Sequence, residues 1–493
     1  MRTENATAMA IEVPWSDGGW QRVVVYGLGL SGRAAVRLLR ARGVAVIAAD
    51  DRPADELPAG VLEPLIADPE ITLLLGPEAA AGPALEALLA AADGVVKSPG
   101  IPADRPLLAA ARRHRLPVIG EVELAFACLD PKRDVVLAVT GSNGKSTTTA
   151  MTAALLVAAG RRAVACGNIG APLADQVPPP GAGDTEPRVL VVELSSFQLE
   201  DVVHFRPRAA ALLNLSPDHI DRHGDLERYR AAKAAIFRNQ RAGDLAVLNA
   251  DDPQVAGLAV AGRRRFFSRR RPIGDGCYLE GDRVVEVTPD GGRQELFRPA
   301  DVAVEGLHNL ENAMAAALLA RSQAVPAAAI ARGLRRFDGL PHRLQRVAER
   351  DGVIWYDDSK GTNLGATEAS LEGFADGTVH LILGGRAKGT DFAPLVPLVA
   401  RKAKAVYLIG EAAAAIDRAL EAGAPQLQRI AAGTLERAVV EAAARARRGE
   451  VVLLSPACAS FDQFADFVDR GRTFQRLVAA LDEAAAKGGR DGS

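Results

Sequence analysis

The chain has 493 residues, 48% of them apolar and 4% aromatic, with a net charge of −2. That length allows roughly two to four domains, the apolar share is enough for several cores packed mainly by Val, Leu and Ala, and the balanced charge argues against a nucleic-acid-binding surface. Four scattered cysteines, Cys128, Cys166, Cys277 and Cys458, form no C-x-x-C pair, which argues against a zinc site and a disulfide framework and suits a reducing cytoplasm; the N-terminus lacks a continuous apolar h-region, against a signal peptide, and no apolar run reaches the length of a membrane span.

Residues 1 to about 20 are polar and aperiodic and read as a tail, in which Met9 is an alternative start. An apolar run at 22–26 leads into Gly27-Leu-Gly29-Leu30-Ser31-Gly32, a helix pattern over 33–42 and a second strand at 44–49 that ends in Asp50 and Asp51. A G-x-G-x-x-G turn with an acid about 20 residues on is a nucleotide-binding pattern; the same glycines can also serve only the packing of a tight strand-to-helix turn. The run 94–97 closes on Ser98-Pro99-Gly100 and belongs at the same sheet edge. The stretch 115–121 reads as a linker.

The apolar strand 135–139 is followed by Thr140-Gly141-Ser142-Asn143-Gly144-Lys145-Ser146-Thr147. Strand, glycine turn and helix start make an anion site, to which the lysine adds charge and the hydroxyl a Mg²⁺ ligand. The strict P-loop spacing is not met, because Val139 stands where the first glycine belongs. Glu193 ends the strand 188–194, where an acid can hold Mg²⁺ or simply face solvent. The strand 209–215 runs into a turn holding Asp218, His219, Asp221 and His223, suited to metal or phosphate or to nothing. Helix 226–237 carries Lys233, ordinarily a solvated position. The loop 178–183 is expected at the surface, and the basic run 263–271 reads as a solvated edge strand and turn. An Ala-rich helix begins near 306, a boundary falls at 339–343, and strands at 353–357, 379–383, 405–409 and 451–454 alternate with helix patterns.

The fold expected is therefore α/β in three domains: a Rossmann-like domain at 21–119, a central P-loop-type ATPase domain with a mostly parallel sheet at 120–339, and a C-terminal Rossmann-like domain at 340–493. Two nucleotide-type sites beside a third α/β unit resemble the Mur ligases of peptidoglycan synthesis, over nearly the whole chain. The motifs are TGSNGKST at 140–147, VVELSSFQLE at 191–200, LNLSPDHIDRH at 213–223, YRAAK at 229–233 and GLHNLENAMAA at 306–316. GLPHRL at 339–344, YDDSKGTN at 356–363 and LLSPACASFDQF at 453–464 continue the match. The last two, with 27–32 and 98–100, are similar to the D-glutamate-adding branch.

That resemblance implies an ATP-dependent ligase that phosphorylates the carboxylate of UDP-N-acetylmuramoyl-L-alanine and lets the amine of D-glutamate displace the phosphate. Gly141, Ser142, Asn143, Gly144, Lys145, Ser146 and Thr147 would wrap the ATP phosphates. Asn309, Asn312, His342, Arg343, Asp358 and Lys360 would complete the ATP site. Two Mg²⁺ would be held by Ser146, Glu193, His219 and a carbamylated Lys233, and Lys145, Glu193, His219 and Lys233 would carry the catalysis. Leu30, Ser31, Asp50, Asp51, Arg52, Ser98, Pro99 and Gly100 would take the UDP moiety, with Asn168 and His219 on the muramoyl side. Thr362, Lys388, Ser460 and Phe467 would receive D-glutamate. A cytoplasmic monomer with small-molecule substrates is expected. Rival readings are a related ligase with another amino acid, an NAD(P)-dependent oxidoreductase with an incidental Gly-Lys-Ser turn, and a non-catalytic nucleotide-binding scaffold.

Overall fold

The computed structural model describes residues 19–488, apart from 59, 80–81, 183–185, 217–219, 305 and 388–389. Three sheets follow one another along the chain. The first has five parallel strands in the order Ile71–Leu75, Ala45–Asp50, Arg22–Tyr26, Gly94–Lys97, Val118–Gly120. Its order reverses beside Arg22–Tyr26, so the turn after that strand and the turn after Gly94–Lys97 meet at a switch point, where open α/β sheets leave a crevice. Ser98 Oγ ties the two turns together by donating to the carbonyl of Gly27 at 2.7 Å. A Cβ on Gly32 would lie 1.8 Å from that same carbonyl oxygen, so helix Leu30–Arg40 can approach the strand only with glycine there.

The second sheet has nine strands. Those from Ala163–Gly167 across to Gly276–Glu280 pair in parallel, and Arg283–Val287 and Arg293–Phe297 add an antiparallel end. The apolar strands Asp134–Thr140 and Arg188–Glu193 lie side by side well inside it, covered by helices on both faces, which is why they read as continuous apolar runs. The third sheet has six strands, parallel except where Gln345–Arg350 joins its edge.

Two expectations need correction. Val118–Gly120 is the last strand of the first sheet rather than linker, and Glu121–Ala127 is a helix; a three-residue strand after a proline leaves almost no periodicity to read. A hydrophobic core runs unbroken from the first sheet (Val23, Val46) into the second (Val136, Leu190), and Glu123 accepts backbone N–H groups of Val203 and Phe205, so Gly120 is embedded between the two sheets. The basic run is not an edge either. Arg263–Ser268 lies between Leu245–Asn249 and Gly276–Glu280, and Arg265 is buried against Asp275 (2.7 Å) and Glu286 (2.8 Å). Carboxylates met only on folding, Glu286 buried and Asp275 half-buried, turn an apparently solvated arginine into an internal one. The loop at 178–183 is described only to 182.

Candidate active site

Asp134–Thr140 delivers the chain into the glycine turn at the carboxyl edge of the second sheet. Gly144 has a φ of +82°, and a Cβ there would come within 2.3 Å of Asn312 Oδ1. Only glycine lets helix Leu307–Arg321 close on the turn. Helix Lys145–Ala158 starts at once and buries Ser146 and Thr147 in its first turn. Lys145 Nζ folds back to donate to the carbonyls of Gly141 (2.9 Å) and Ser142 (2.8 Å). Lys233 Nζ donates to the same Gly141 oxygen at 2.8 Å, so two ammonium groups converge on one acceptor. Lys233 is 2% exposed and lies 4.7 Å from the centre of the Tyr229 ring, so it is not the solvated lysine its helix position suggests. Tyr229 in turn is hydrogen-bonded to Ser142 Oγ.

Glu193 stands at the end of the neighbouring strand. Its Oε1 accepts from Asn168 Nδ2 at 2.8 Å, while its Oε2 is buried without a hydrogen-bond donor. No group of three or more His, Cys, Asp or Glu side chains gathers among the described residues; His219 lies outside them. Ser146 Oγ accepts from Arg343 Nη2 at 2.8 Å.

A cavity of about 700 Å³ opens between the carboxyl edges of the first two sheets. Leu30, Ser31, Asp50, Asp51, Arg52, Ser98, Pro99 and Gly100 line one end, and Lys145, Asn168 and Lys233 the other. Burial opposes the charge of Asp50, yet Arg52 and the Leu28 N–H hold its carboxyl below the ordinary range. Asp51 accepts the Tyr26 hydroxyl and pairs with Arg105.

A narrower cleft of about 60 Å³ separates the glycine turn from the third sheet and is lined by Asn143, Gly144, Thr147, Asn309, Asn312, Arg343, Asp358 and Lys360. It continues beside a space of about 320 Å³ lined by Asn214, Ser216, His308, Glu311 and Asn312. Burial raises the Asp358 carboxyl to about 6, partly offset by the Ser455 and Ser370 hydroxyls. Burial, with Arg343 and Lys145 nearby, lowers the Lys360 ammonium to about 8. His342 is not on this cleft. It is buried with Nδ1 2.7 Å from Asp357 Oδ2 and its ring against Phe467.

Three family models cover most of the chain: the MurD-like N-terminal domain of Mur ligases at 21–120, the Mur ligase middle domain at 139–320, and the Mur ligase glutamate ligase domain at 342–458. The UDP-N-acetylmuramoylalanine–D-glutamate ligase of Myxococcus xanthus is 46% identical over 468 residues, covering 94% of this chain and 98% of that protein. The ligase of the same name from Thiobacillus denitrificans is 44% identical over 477 residues, covering 94% and 96%. The chain belongs to the Mur ligase family. Among solved structures, the UDP-N-acetylmuramate–alanine ligase MurC of Thermotoga maritima shares the fold at a TM-score of 0.56 and 20% identity, covering 94% of this chain and all of that one. A MurF ligase of Thermotoga maritima solved in complex with ADP follows at 0.53 and 17%, covering 79% and 96%.

In this Mur ligase Thr362, Ser460 and Phe467, expected at D-glutamate, line none of the three spaces described above. Lys388 lies outside the described residues, Ser460 is buried, and Phe467 lies beneath Lys360, whose Nζ is 3.8 Å from the ring centre. Thr362 donates its backbone N–H to the Lys360 carbonyl. Sequence reasoning also passed over residues that this Mur ligase places on the large cavity: Arg105, Ser195, Ser196, Phe197 and Tyr229. Four of them sit inside the motifs VVELSSFQLE and YRAAK, where only their spacing from Glu193 and Lys233 hinted at a role.

Proposed function

We infer that this Mur ligase is an ATP-dependent amide ligase that joins D-glutamate to UDP-N-acetylmuramoyl-L-alanine through an acyl phosphate, in peptidoglycan precursor synthesis. The observation that carries the reading is the 700 Å³ cavity with the Asp50 and Ser98 turns at one end and Lys145 of the glycine turn at the other. A long substrate anchored by its nucleotide at the first end would bring its carboxylate to the ATP phosphates at the second. A carboxylate is a poor acylating agent because its leaving group would be oxide, and phosphorylation supplies the leaving group. Transfer of the phosphoryl group then needs alignment and charge neutralisation more than covalent help.

On this reading Leu30, Ser31, Asp50, Asp51, Arg52 and the 98–100 turn hold the UDP moiety, and Asn168 the muramoyl side. The 141–147 turn, Asn309, Asn312, Arg343, Asp358 and Lys360 hold ATP. Lys145 swings from its own loop carbonyls to the transferring phosphoryl group, and Arg343 leaves Ser146 as the narrow cleft widens. The unpartnered, buried Oε2 of Glu193 fits a hard cation that prefers oxygen ligands. Ser146, Glu193, His219 and a carbamylated Lys233 would hold two Mg²⁺, which supply charge neutralisation for the phosphates. Thr362, Lys388, Ser460 and Phe467 take D-glutamate once the third domain approaches. The boundaries near 120 and 339 divide substrate, ATP and amino-acid functions. No disulfide joins any of the four cysteines and no helix among the described residues is long and apolar enough to cross a membrane, which suits a cytoplasmic enzyme, acting as a monomer on small-molecule substrates.

The test is phosphate release from ATP with UDP-N-acetylmuramoyl-L-alanine, comparing D-glutamate with L-glutamate, L-alanine and a diamino acid. Release and amide formation with D-glutamate alone are expected; equal turnover with another amino acid would overturn the substrate assignment.

A further inference from the structure

On the wall of the large cavity, Ser196 belongs to a linked set of side chains that the reaction above does not use. Ser196 opens the short helix Ser196–Glu200 and lines the cavity at 3% exposure. Its Oγ is 3.0 Å from His223 Nε2. His223 Nδ1 is 3.2 Å from Glu200 Oε1, one turn further along the same helix. The imidazole is wedged between Phe197, stacked at 5.6 Å, and the edge of Tyr229 at 5.3 Å, so its orientation is fixed by packing as well as by the hydrogen bond to Ser196.

The chemistry of the set follows from which atoms can donate. A carboxylate carries only negative charge and lone pairs, so Glu200 beside Nδ1 favours the tautomer with its hydrogen on that nitrogen. The neutral ring then offers a lone pair at Nε2, which takes the Ser196 hydroxyl hydrogen. With its hydrogen turned to the histidine, Ser196 Oγ has only lone pairs left for the cavity. Glu200 has a second task. Its Oε2 is 3.4 Å from Arg222 Nη2, and Arg222 donates to the carbonyls of Pro99, Gly100 and Ile101 in the first domain's turn. One carboxylate therefore ties the turn at the nucleotide end to the serine further along.

We propose that His223, held by Glu200, is a positioning residue that makes Ser196 a hydrogen-bond acceptor for an amide N–H of the bound UDP-N-acetylmuramoyl-L-alanine. The substrate carries such groups in its acetamido and lactoyl-alanyl links, between the nucleotide and the reacting carboxylate. The proposal rests on the assignment of the cavity to this substrate.

The test is calorimetric titration of the full chain with UDP-N-acetylmuramoyl-L-alanine, without ATP or D-glutamate. Ser196→Ala, His223→Phe, which keeps a ring against Phe197 and Tyr229, and the double variant are compared with the wild type. Each single change is expected to weaken binding about tenfold, the worth of one hydrogen bond, and the double variant no further. The Michaelis constant should follow while turnover at saturation stays within about twofold, a split that general loosening would not produce. His223→Leu replaces His223→Phe should the latter melt early. Wild-type affinity in either single variant, or losses that multiply in the double variant, would overturn the relay. Absence of binding to the wild type would instead overturn the assignment of the cavity, and the relay with it.

Discussion

Lys233→Arg gives the sharpest reading of the site. Lys145 and Lys233 donate to the same carbonyl oxygen at 2.9 and 2.8 Å, so their ammonium nitrogens stand less than about 6 Å apart. Two like charges at that distance repel by about 3 kcal/mol at an effective dielectric constant near 20. Converting Lys233 to a carbamate changes the sign of this interaction, a swing of about 6 kcal/mol in favour of an anion that could face Mg²⁺. Arginine cannot form the carbamate and keeps the repulsion. If only half of the swing bears on the transferring phosphoryl group, turnover falls more than a hundredfold, since each 1.36 kcal/mol is about tenfold in rate. The assay is coupled phosphate release at saturating substrates, with circular dichroism and calorimetric binding of the UDP substrate as controls for folding and site integrity. In isotope-labelled bicarbonate the wild type should show a carbamate carbon resonance that Lys233→Arg lacks. Near wild-type turnover in Lys233→Arg, or no such resonance in the active wild type, would refute the reasoning and leave Lys233 as a packing cation under Tyr229.

Lys145→Ala should keep the fold, because Nζ donates to carbonyls of its own loop, and lose about 3 kcal/mol of transition-state stabilisation, seen as a turnover loss of at least a hundredfold. Lys360, lowered to about 8 by burial and by the Arg343 and Lys145 charges, should lose its proton as pH rises through that value, so ADP affinity of the free enzyme should fall there; Lys360→Arg, charged throughout, should flatten the profile in calorimetry. Arg265→Met should cost about 2 kcal/mol in urea unfolding, because Asp275 loses its arginine and buried Glu286 keeps only Arg321 as a charged partner; a change within 0.5 kcal/mol, the usual range of surface substitutions, would return the arginine to the solvated role its sequence suggests.

The strands 22–26 and 135–139, the G-x-G-x-x-G turn and the Gly-Lys-Ser turn were legible in the sequence because each is local. An apolar run bounded by glycines needs no partner to be recognised, and a glycine at a close approach, such as Gly32 or Gly144, is demanded by the backbone itself. The family followed from motif order along the chain. What the tertiary structure alone decided depends on partners far apart in sequence. Arg265 became internal because Asp275 and Glu286 reach it across neighbouring strands, and His342 is buried because it packs against Asp357. Gly120 stopped being a linker residue once Val118–Gly120 paired with Gly94–Lys97. Lys233 and Lys145, 88 positions apart, share one carbonyl, and Ser196 meets His223 only where two short helices pack together. A residue's burial and charge environment are set by what the fold brings against it, and neither hydrophobic period nor turn chemistry carries that information.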